Sequence, residues 1–298
     1  MVLGSTGMLG HIVTAVLTQN SIEVVEANRA GLPTSKFSTA VKFDLEKEPD
    51  LNQFFEKNNT DYVVNCVGLI RQLIDENSQE SIRSATNVNS EFPIKLAGYS
   101  DRYNFKVFQI GTDCIFSGDT GNYSELDVHS PVDVYGRTKS LGELASPNLL
   151  TLRCSIVGPQ IHSKSSLLSW FLSQPRNASI NGFGNHIWNG LTTLHFARIL
   201  SGIVASNTFV SGTFHLVPQG NLSKYSLLTE FGKNFERQDI RIQKVNASVP
   251  INRTLRTLHQ DFNVKLWRLA GYGIVPTIEQ MVSELAEWMK MNPKEGWN

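Results

Sequence analysis

The chain has 298 residues, 41% of them hydrophobic, and its formal net charge is +0 at pH 7. This length suits one large α/β domain or a nucleotide-binding core with a smaller lobe. A neutral chain does not predict the basic surface with which proteins bind nucleic acid or an acidic membrane. Because no apolar run reaches the roughly 18 residues of a transmembrane helix, the sequence predicts no membrane span and a cytoplasmic protein.

The cysteines predict neither a disulfide framework nor a metal site. Cys66, Cys114 and Cys154 stand far apart in the sequence, each inside an apolar run and without metal-ligand spacing. We expect free, buried thiols in a reducing compartment.

Apolar runs of strand length alternate with longer amphipathic stretches. Predicted strands lie at 1–3, 22–27, 41–43, 62–66, 106–110, 149–156 and 213–217, and predicted helices at 9–17, 79–98 and 134–144. Continuous apolar strands that alternate with helices indicate a parallel sheet covered on both faces. The predicted fold class is therefore α/β, a Rossmann-type doubly wound parallel sheet.

The first predicted strand is short. Only Met1, Val2 and Leu3 precede Gly4, whereas a strand usually has about five to six residues. We expect that the numbering begins at an internal or alternative start and that this strand is cut short.

The alternation of predicted strands and helices becomes irregular after Gly158, where Gly, Asn, Ser and Pro are more frequent. We expect a Rossmann domain over residues 1–158 and a smaller, mainly substrate-binding lobe over residues 159–298. The late strand at 213–217 is expected to return to the core. A last helix is predicted at 278–289, with Thr277 as its N-cap.

A glycine-rich turn of the pattern G-x-x-G-x-x-G, from Gly4 to Gly10, joins the first strand to the first helix. Glycine permits positive φ and lets the backbone approach a pyrophosphate closely. The N-terminus of the following helix attracts phosphate. The motif therefore predicts dinucleotide binding.

The end of the second strand bears on the choice of cofactor. Asn28 occupies the place where an acid would bind the ribose 2′-hydroxyl of NAD, and Arg29 follows it. A neutral residue and a guanidinium suit the 2′-phosphate of NADPH. Two alternatives stay open: Arg29 is a solvated loop residue, or Glu26 is the ribose-binding acid and the cofactor is NADH.

Two further strand ends fit the same pocket. Asp44 and Leu45 follow the third strand, where a carboxylate can accept from the adenine amino group, although such an Asp is usually a helix cap. Val67 and Gly68 follow the fourth strand, where small residues leave room for a cofactor.

A catalytic pattern follows the fifth strand. Thr112 and Asp113 end that strand, and Tyr135 and Lys139 stand four residues apart on one helix face. A nearby ammonium lowers the pKa of a tyrosine. The tyrosine can then protonate a carbonyl oxygen as hydride reaches the carbon, while the Thr112 hydroxyl holds that oxygen.

These motifs together resemble the dTDP-4-dehydrorhamnose reductases, a family of extended short-chain dehydrogenases. The resemblance rests on residues 4–10, 112–118 and 135–143, with looser similarity at 152–158, 212–216 and 223–225. Asn89 matches an asparagine that the family places near the centre of the fold.

The resemblance implies the reduction of a 4-keto-6-deoxy sugar on a nucleoside diphosphate, in surface-polysaccharide synthesis. It implies Tyr135 as acid, Lys139 as its partner and Thr112 as the orienting hydroxyl. With the glycine turn and Asn28, the predicted NADPH contacts are Gly4, Gly7, Met8, Leu9, Gly10, Asn28, Arg29, Asp44, Leu45, Val67, Gly68 and Lys139. The expected substrate contacts are Thr112, Asp113, Ile156 and Trp188.

The substrate itself stays open, because residues 185–193 are only loosely similar to the family. A UDP-linked N-acetylated deoxy sugar fits as well as the dTDP-linked rhamnose precursor. Trp188 and His186 lie in a polar, glycine-rich stretch. There the indole can stack on a sugar or base, or else pack between the lobes.

Two alternative functions use the same core. The first is a nucleotide-sugar epimerase or dehydratase, although dehydratases often carry glutamate where this chain has Cys114. The second is a non-catalytic binding module like the regulatory subunit of methionine adenosyltransferase. The partners expected are a nucleotide sugar and, as an assembly, a homodimer.

Overall fold

The computed structural model describes residues 1–294 and residue 297. Its strands are β1 (Val2–Leu3), β2 (Val25–Asn28), β3 (Thr39–Lys42), β4 (Tyr62–Asn65), β5 (Lys106–Ile110), β6 (Leu149–Arg153), β7 (Ile156–Val157), β8 (Ser179–Phe183), β9 (His186–Trp188), β10 (Leu191–Thr192), β11 (Gly212–His215), β12 (Leu222–Ser223), β13 (Arg241–Val245) and β14 (Ile251–Asn252). Its α-helices are α1 (Gly10–Gln19), α2 (Leu51–Lys57), α3 (Gln79–Thr86), α4 (Phe92–Tyr103), α5 (Val134–Leu141), α6 (Leu167–Leu172), α7 (Thr193–Ser206), α8 (Lys224–Asn234), α9 (Gln260–Leu269) and α10 (Ile278–Met291).

A seven-stranded parallel sheet forms the centre, in the order β11-β6-β5-β4-β1-β2-β3. The order reverses between β1 and β4, which is where ligands bind in open α/β sheets. The predicted Rossmann-type fold is confirmed.

The sheet is apolar on both faces, as its continuous hydrophobic strands predict. Val63 and Val64 are neighbours on β4, yet they belong to different core clusters. The Val64 cluster includes side chains of α1, α7 and α10, and the Val63 cluster includes side chains of α2 and α4.

Smaller sheets occupy the second half of the chain. The three-stranded sheet β12-β9-β14 places β9 in the middle, and two-stranded sheets pair β7 with β10 and β8 with β13. The late strand is found as β11, which pairs in parallel with β6. The division into two domains at residue 158 stays a prediction.

Several boundaries differ from the sequence-based ones. The predicted strand 149–156 is two strands, β6 and β7, because the chain leaves the central sheet after Arg153. The predicted helix 79–98 contains a π-helical turn, Asn87–Glu91, between α3 and α4. Short 3₁₀ turns cover Leu45–Lys47, Arg71–Leu73 and Asp113–Ile115.

The last helix is confirmed and extends to Met291. Its predicted cap is also confirmed, since the Thr277 hydroxyl accepts the Gln280 N–H at 3.2 Å. Within the described residues, none of the helices has the length and apolar character needed to cross a membrane. The three cysteines, all in the described part, are free thiols, and of these Cys154 is fully buried.

Candidate active site

A cavity of about 200 Å³ opens at the carboxyl ends of β1, β2, β3 and β4. Eight of the predicted cofactor residues line it, namely Gly4, Gly7, Asn28, Arg29, Asp44, Leu45, Val67 and Gly68. Sequence analysis missed six others, Thr6, Phe43, Glu46, Cys66, Leu69 and Val88. Most of these six are chain neighbours of predicted residues, so the cavity coincides with the strand ends from which the cofactor contacts were predicted.

The glycine turn folds tightly under the first helix. Gly4 has φ +74°, in the left-handed region that favours glycine. A Cβ on Gly10 would lie only 2.2 Å from the Gly4 carbonyl oxygen, so a side chain there would push α1 off the turn. The backbone and the helix N-terminus therefore form a cradle whose shape and dipole fit a pyrophosphate.

Met8, Leu9 and Gly10 do not line this cavity. The Leu9 side chain lies in the core and its backbone is the N-cap of α1. A cofactor contact from this residue would therefore have to come from its backbone.

Arg29 is exposed at the mouth of the cavity. The neighbouring Asn28 is buried, and its side chain accepts the Gly31 N–H at 2.9 Å and donates to the Ser5 hydroxyl at 3.0 Å. Asn28 therefore stabilises the turn that contains Arg29.

Glu26 is fully buried, and its carboxylate forms hydrogen bonds with the loop that follows β2. Its carboxylate accepts the Thr34 N–H at 2.7 Å and the Ser38 hydroxyl at 2.6 Å. The alternative in which Glu26 binds the ribose has no support in this geometry.

The loop after β5 holds Thr112 in a fixed orientation. Its Oγ1 accepts the Cys114 N–H at 3.2 Å, which caps the 3₁₀ turn that contains Asp113. Thr112 and Asp113 are both buried. This loop is rigid because a side chain from within it closes its own turn.

Tyr135 and Lys139 are brought to this loop by close packing of α5. A Cβ on Gly136 would lie 2.2 Å from the Cys114 carbonyl oxygen, so only glycine lets the helix approach this far. Asp133 caps the helix by accepting the Gly136 N–H at 2.7 Å. The three predicted catalytic residues, Thr112, Tyr135 and Lys139, are thus neighbours at the carboxyl end of β5.

Burial dominates the electrostatics of the pair. It raises the pKa of Tyr135, and the interaction of the phenol with Thr112 acts in the opposite direction. Burial lowers the pKa of Lys139 to about 8, and the Lys139 ammonium donates to the Ile110 carbonyl at 2.7 Å. The expectation that Lys139 lowers the pKa of Tyr135 is therefore not met, because burial of the phenol raises this pKa.

Asn89, in the π-helical turn, connects the cavity to α5. Its side chain accepts the Leu69 N–H at 2.9 Å and donates to the Leu69 carbonyl at 2.9 Å. It also donates to the Thr138 hydroxyl at 3.2 Å. π-Helical turns often occur at functional sites, and no feature of residues 79–98 predicted one here.

Two cations from the second half of the chain face the catalytic loop. The Arg253 guanidinium donates to the Phe116 carbonyl at 2.9 Å and lies 4.0 Å from the Cys114 sulfur. The pKa of Asp113 is raised by burial, and both Arg253 and Lys224 oppose that rise. Sequence analysis did not single out either cation, because they are far from the motifs along the chain.

The small sheet β12-β9-β14 sets the positions of these cations. Ser223 and Asn252 both pair with Ile187 of the central strand β9, from opposite sides. Lys224 and Arg253 come directly after these two residues. The small sheet therefore brings the two cations to opposite sides of β9.

Trp188, at the end of β9, is only 3% exposed and belongs to the main core cluster. Its indole N–H donates to the Ser155 hydroxyl at 2.8 Å, and the Lys224 ammonium lies 5.4 Å from its ring centre. Ile156, next to Ser155, is half-buried and pairs with Leu191. The geometry favours the packing role of Trp188 over stacking on a ligand.

We expect Trp188→Ala to lower the unfolding free energy by about 3–5 kcal/mol, the scale for loss of a buried aromatic side chain. Trp188→Phe, which keeps most of the volume and loses only the bond to Ser155, should cost much less. Denaturant unfolding of both variants measures the difference. An Ala variant as stable as the parent would show that the indole is not part of the core.

The site combines a glycine cradle at the switch point of a parallel sheet with a threonine, a tyrosine and a lysine beside it. This is the arrangement of an extended short-chain dehydrogenase. The chain belongs to the RmlD substrate binding domain family, whose model matches residues 1–290.

Individual relatives agree with this assignment. A probable low-salt glycan biosynthesis reductase from Haloferax volcanii is 27% identical over 230 residues, 73% of this chain and 74% of the relative. A dTDP-4-dehydrorhamnose reductase from Aggregatibacter actinomycetemcomitans is 23% identical over 86% of this chain and 84% of its own length. The structure of a dTDP-4-dehydrorhamnose reductase from Bacillus anthracis in complex with NADP matches with a TM-score of 0.72 at 16% identity, over 95% of this chain and 96% of that one.

The chain is also similar to a protein of a different description. Methionine adenosyltransferase 2 subunit beta from Bos taurus is 27% identical over 262 residues, 83% of this chain and 75% of the relative.

Proposed function

We propose that this protein is an NADPH-dependent reductase that acts on the 4-keto group of a nucleotide-linked 6-deoxy sugar. The observation that carries the proposal is the meeting of Thr112, Tyr135 and Lys139 at the end of β5, in the sheet whose glycine turn forms the cofactor cradle. The descriptions of two relatives, one as a probable glycan biosynthesis reductase and one as a dTDP-4-dehydrorhamnose reductase, support the same activity.

The residues of the cavity fit NADPH, which supplies a hydride when it is bound. The glycine turn would hold the pyrophosphate, and Arg29 would pair with the 2′-phosphate. Val67 and Gly68 would form the wall of the cavity on the β4 side. NADH is the alternative cofactor, and Arg29 is the residue that discriminates between the two.

The buried phenol of Tyr135 suits the role of proton donor. Because its pKa is raised, it keeps its proton at neutral pH and can pass it to a substrate oxygen that becomes basic during reduction. The Thr112 hydroxyl would hold that oxygen, and the Lys139 ammonium would stabilise the phenolate that remains.

Lys224 and Arg253 make the substrate side of the site suitable for an anion. Burial lowers the pKa of Lys224, and Asp113 opposes this change. Charges held partly out of water bind an anion more strongly than solvated ones do. A nucleoside diphosphate brings such an anion, so we assign the two cations to the substrate.

The identity of the nucleotide, the fate of the product, the location and the assembly are part of the same proposal. The substrate is a dTDP-linked or UDP-linked sugar, the product serves surface-polysaccharide synthesis, and the protein acts in the cytoplasm as a homodimer. Asp113 and Ile156 line the substrate side.

The proposal is tested with a panel of nucleoside diphosphate 4-keto-6-deoxy sugars and NADPH. Net oxidation of NADPH, with a reduced sugar as product, is the expected result. Product without net oxidation would identify an epimerase. Cofactor binding without any product would identify a binding module like the methionine adenosyltransferase subunit.

In the same assay, Tyr135→Phe should lower kcat by about 10²-fold or more, which is the scale of general acid catalysis. NADPH affinity should change little, since the phenol lies away from the cavity that the cofactor fits. Full activity of the Phe variant would mean that the proton comes from another group.

Arg29→Ala should weaken NADPH binding on the order of tenfold to a hundredfold, from the loss of a charge-assisted contact. The Kd for NADH should change little, because NADH carries no 2′-phosphate. Titration calorimetry with each cofactor measures both values. Equal weakening of the two would make Arg29 a structural residue.

Lys224→Ala should raise KM for the nucleotide sugar about tenfold or more, since the variant loses one charged contact. Lys224→Arg keeps the charge and should retain most of the affinity. Lys233→Ala, an exposed lysine on the same helix, is the matched control. If the two alanine variants have the same KM, then Lys224 does not contact the substrate.

A further inference from the structure

A buried ion pair, Glu143 with Arg153, lies at the end of the helix that carries Lys139. Glu143 and Arg153 have side chains that are 9% and 7% exposed, respectively. The Arg153 guanidinium donates to both carboxylate oxygens, with Nε–Oε1 at 3.1 Å and Nη2–Oε2 at 2.6 Å. Such a fork holds a carboxylate in one geometry.

Two histidines fix the other edge of the guanidinium. His129 Nε2 lies 2.8 Å from Arg153 Nη2, and His215 Nε2 lies 3.3 Å from Nη1. Because a guanidinium can only donate, both Nε2 atoms must accept, and both histidines must be neutral. This agrees with the lowered pKa of each, which arises first from burial and further from Arg153.

The remaining ring nitrogens of the histidines are also engaged. His129 Nδ1 lies 2.7 Å from the Ser140 hydroxyl on α5, and His215 Nδ1 lies 2.8 Å from the Arg256 carbonyl. The Glu143 carboxylate is therefore held from α5, β6 and β11 together and has little freedom to move.

Glu143 lies one helical turn beyond Lys139, just after α5 ends. The carboxylate opposes the fall in the pKa of Lys139 that burial causes. Lys139 itself donates to the Ile110 carbonyl at 2.7 Å, two residues before Thr112. The other titratable groups that face Lys139 are the Cys154 thiol after β6 and Tyr135 one turn earlier on α5.

We propose that Glu143 is a positioning residue for the reduction: locked by Arg153, it keeps the Lys139 ammonium charged beside Tyr135. This inference rests on the proposed function, because it assigns Lys139 a part in that reaction. It explains why a buried arginine and two neutral histidines surround a carboxylate that does not line the cofactor cavity.

The test is the pH dependence of the reduction in Glu143→Gln. Activity that needs a charged Lys139 is lost as pH rises through its pKa, which is about 8 in the parent. Loss of the neighbouring anion should lower this pKa by about one unit or more. The alkaline limb of the kcat profile should move to lower pH by the same amount, and kcat at about pH 8 should fall about fivefold.

A second measurement does not depend on activity. NMR titration of the lysine side chains, with the signal of Lys139 identified by its absence in Lys139→Met, gives the pKa directly in parent and variant. Glu143→Asp, which keeps the charge, should restore most of the parent value. A parent enzyme without reductase activity would contradict the proposed function, whereas an active parent whose Lys139 pKa is unchanged in Glu143→Gln would contradict this inference alone.

Glu143→Gln leaves Arg153 buried without its partner, which can destabilise the fold. The double variant Glu143→Gln/Arg153→Met removes both charges and is expected to fold, because neutral replacement of a buried pair is often tolerated. Its alkaline limb should still lie below that of the parent, since Glu143 and not Arg153 acts on Lys139. A return of the limb to the parent position would overturn the proposal.

Discussion

The close contact of α5 with the loop after β5 is the constraint on which the rest of the site depends. Gly136 has no side chain, so the helix backbone can rest on the Cys114 carbonyl. The Lys139 ammonium then reaches the Ile110 carbonyl across the end of the strand. A helix one side chain further away would lose that bond and separate Tyr135 from Thr112.

This packing places several charges out of water, and each one is compensated locally. The charge of Lys139 is compensated by Glu143, and the charge of Asp113 is compensated by Lys224 and Arg253. An uncompensated charge at any of these positions would cost several kcal/mol. The site can therefore hold a polar reaction beside a sheet that packs against apolar clusters on both faces.

The features that could be predicted from the sequence are those that depend on residues close together in the chain. The glycine turn, the Tyr135 and Lys139 spacing and the Thr277 cap depend on contacts within a few residues, and the structure has each of them as expected. Periodicity was sufficient for the parallel sheet, because buried strands need continuous apolar runs.

The remaining features depend on contacts between distant segments. Lys224 and Arg253 meet the catalytic loop only because β12 and β14 flank β9. Trp188 lies in a polar stretch of sequence, yet the Ser155 hydroxyl satisfies its indole N–H inside the core. The pKa of Tyr135 is raised by burial inside the folded site, which motif spacing does not report.

Asn89 connects the cofactor cavity to the helix that carries the proton donor. One amide joins the backbone of Leu69, in the cavity wall, to the Thr138 hydroxyl on the helix of Tyr135 and Lys139. The three hydrogen bonds of Asn89 thus tie the position of this wall to that of the catalytic helix. A displacement of the wall by a bound cofactor would move the proton donor as well, and such a coupling would act equally in both directions.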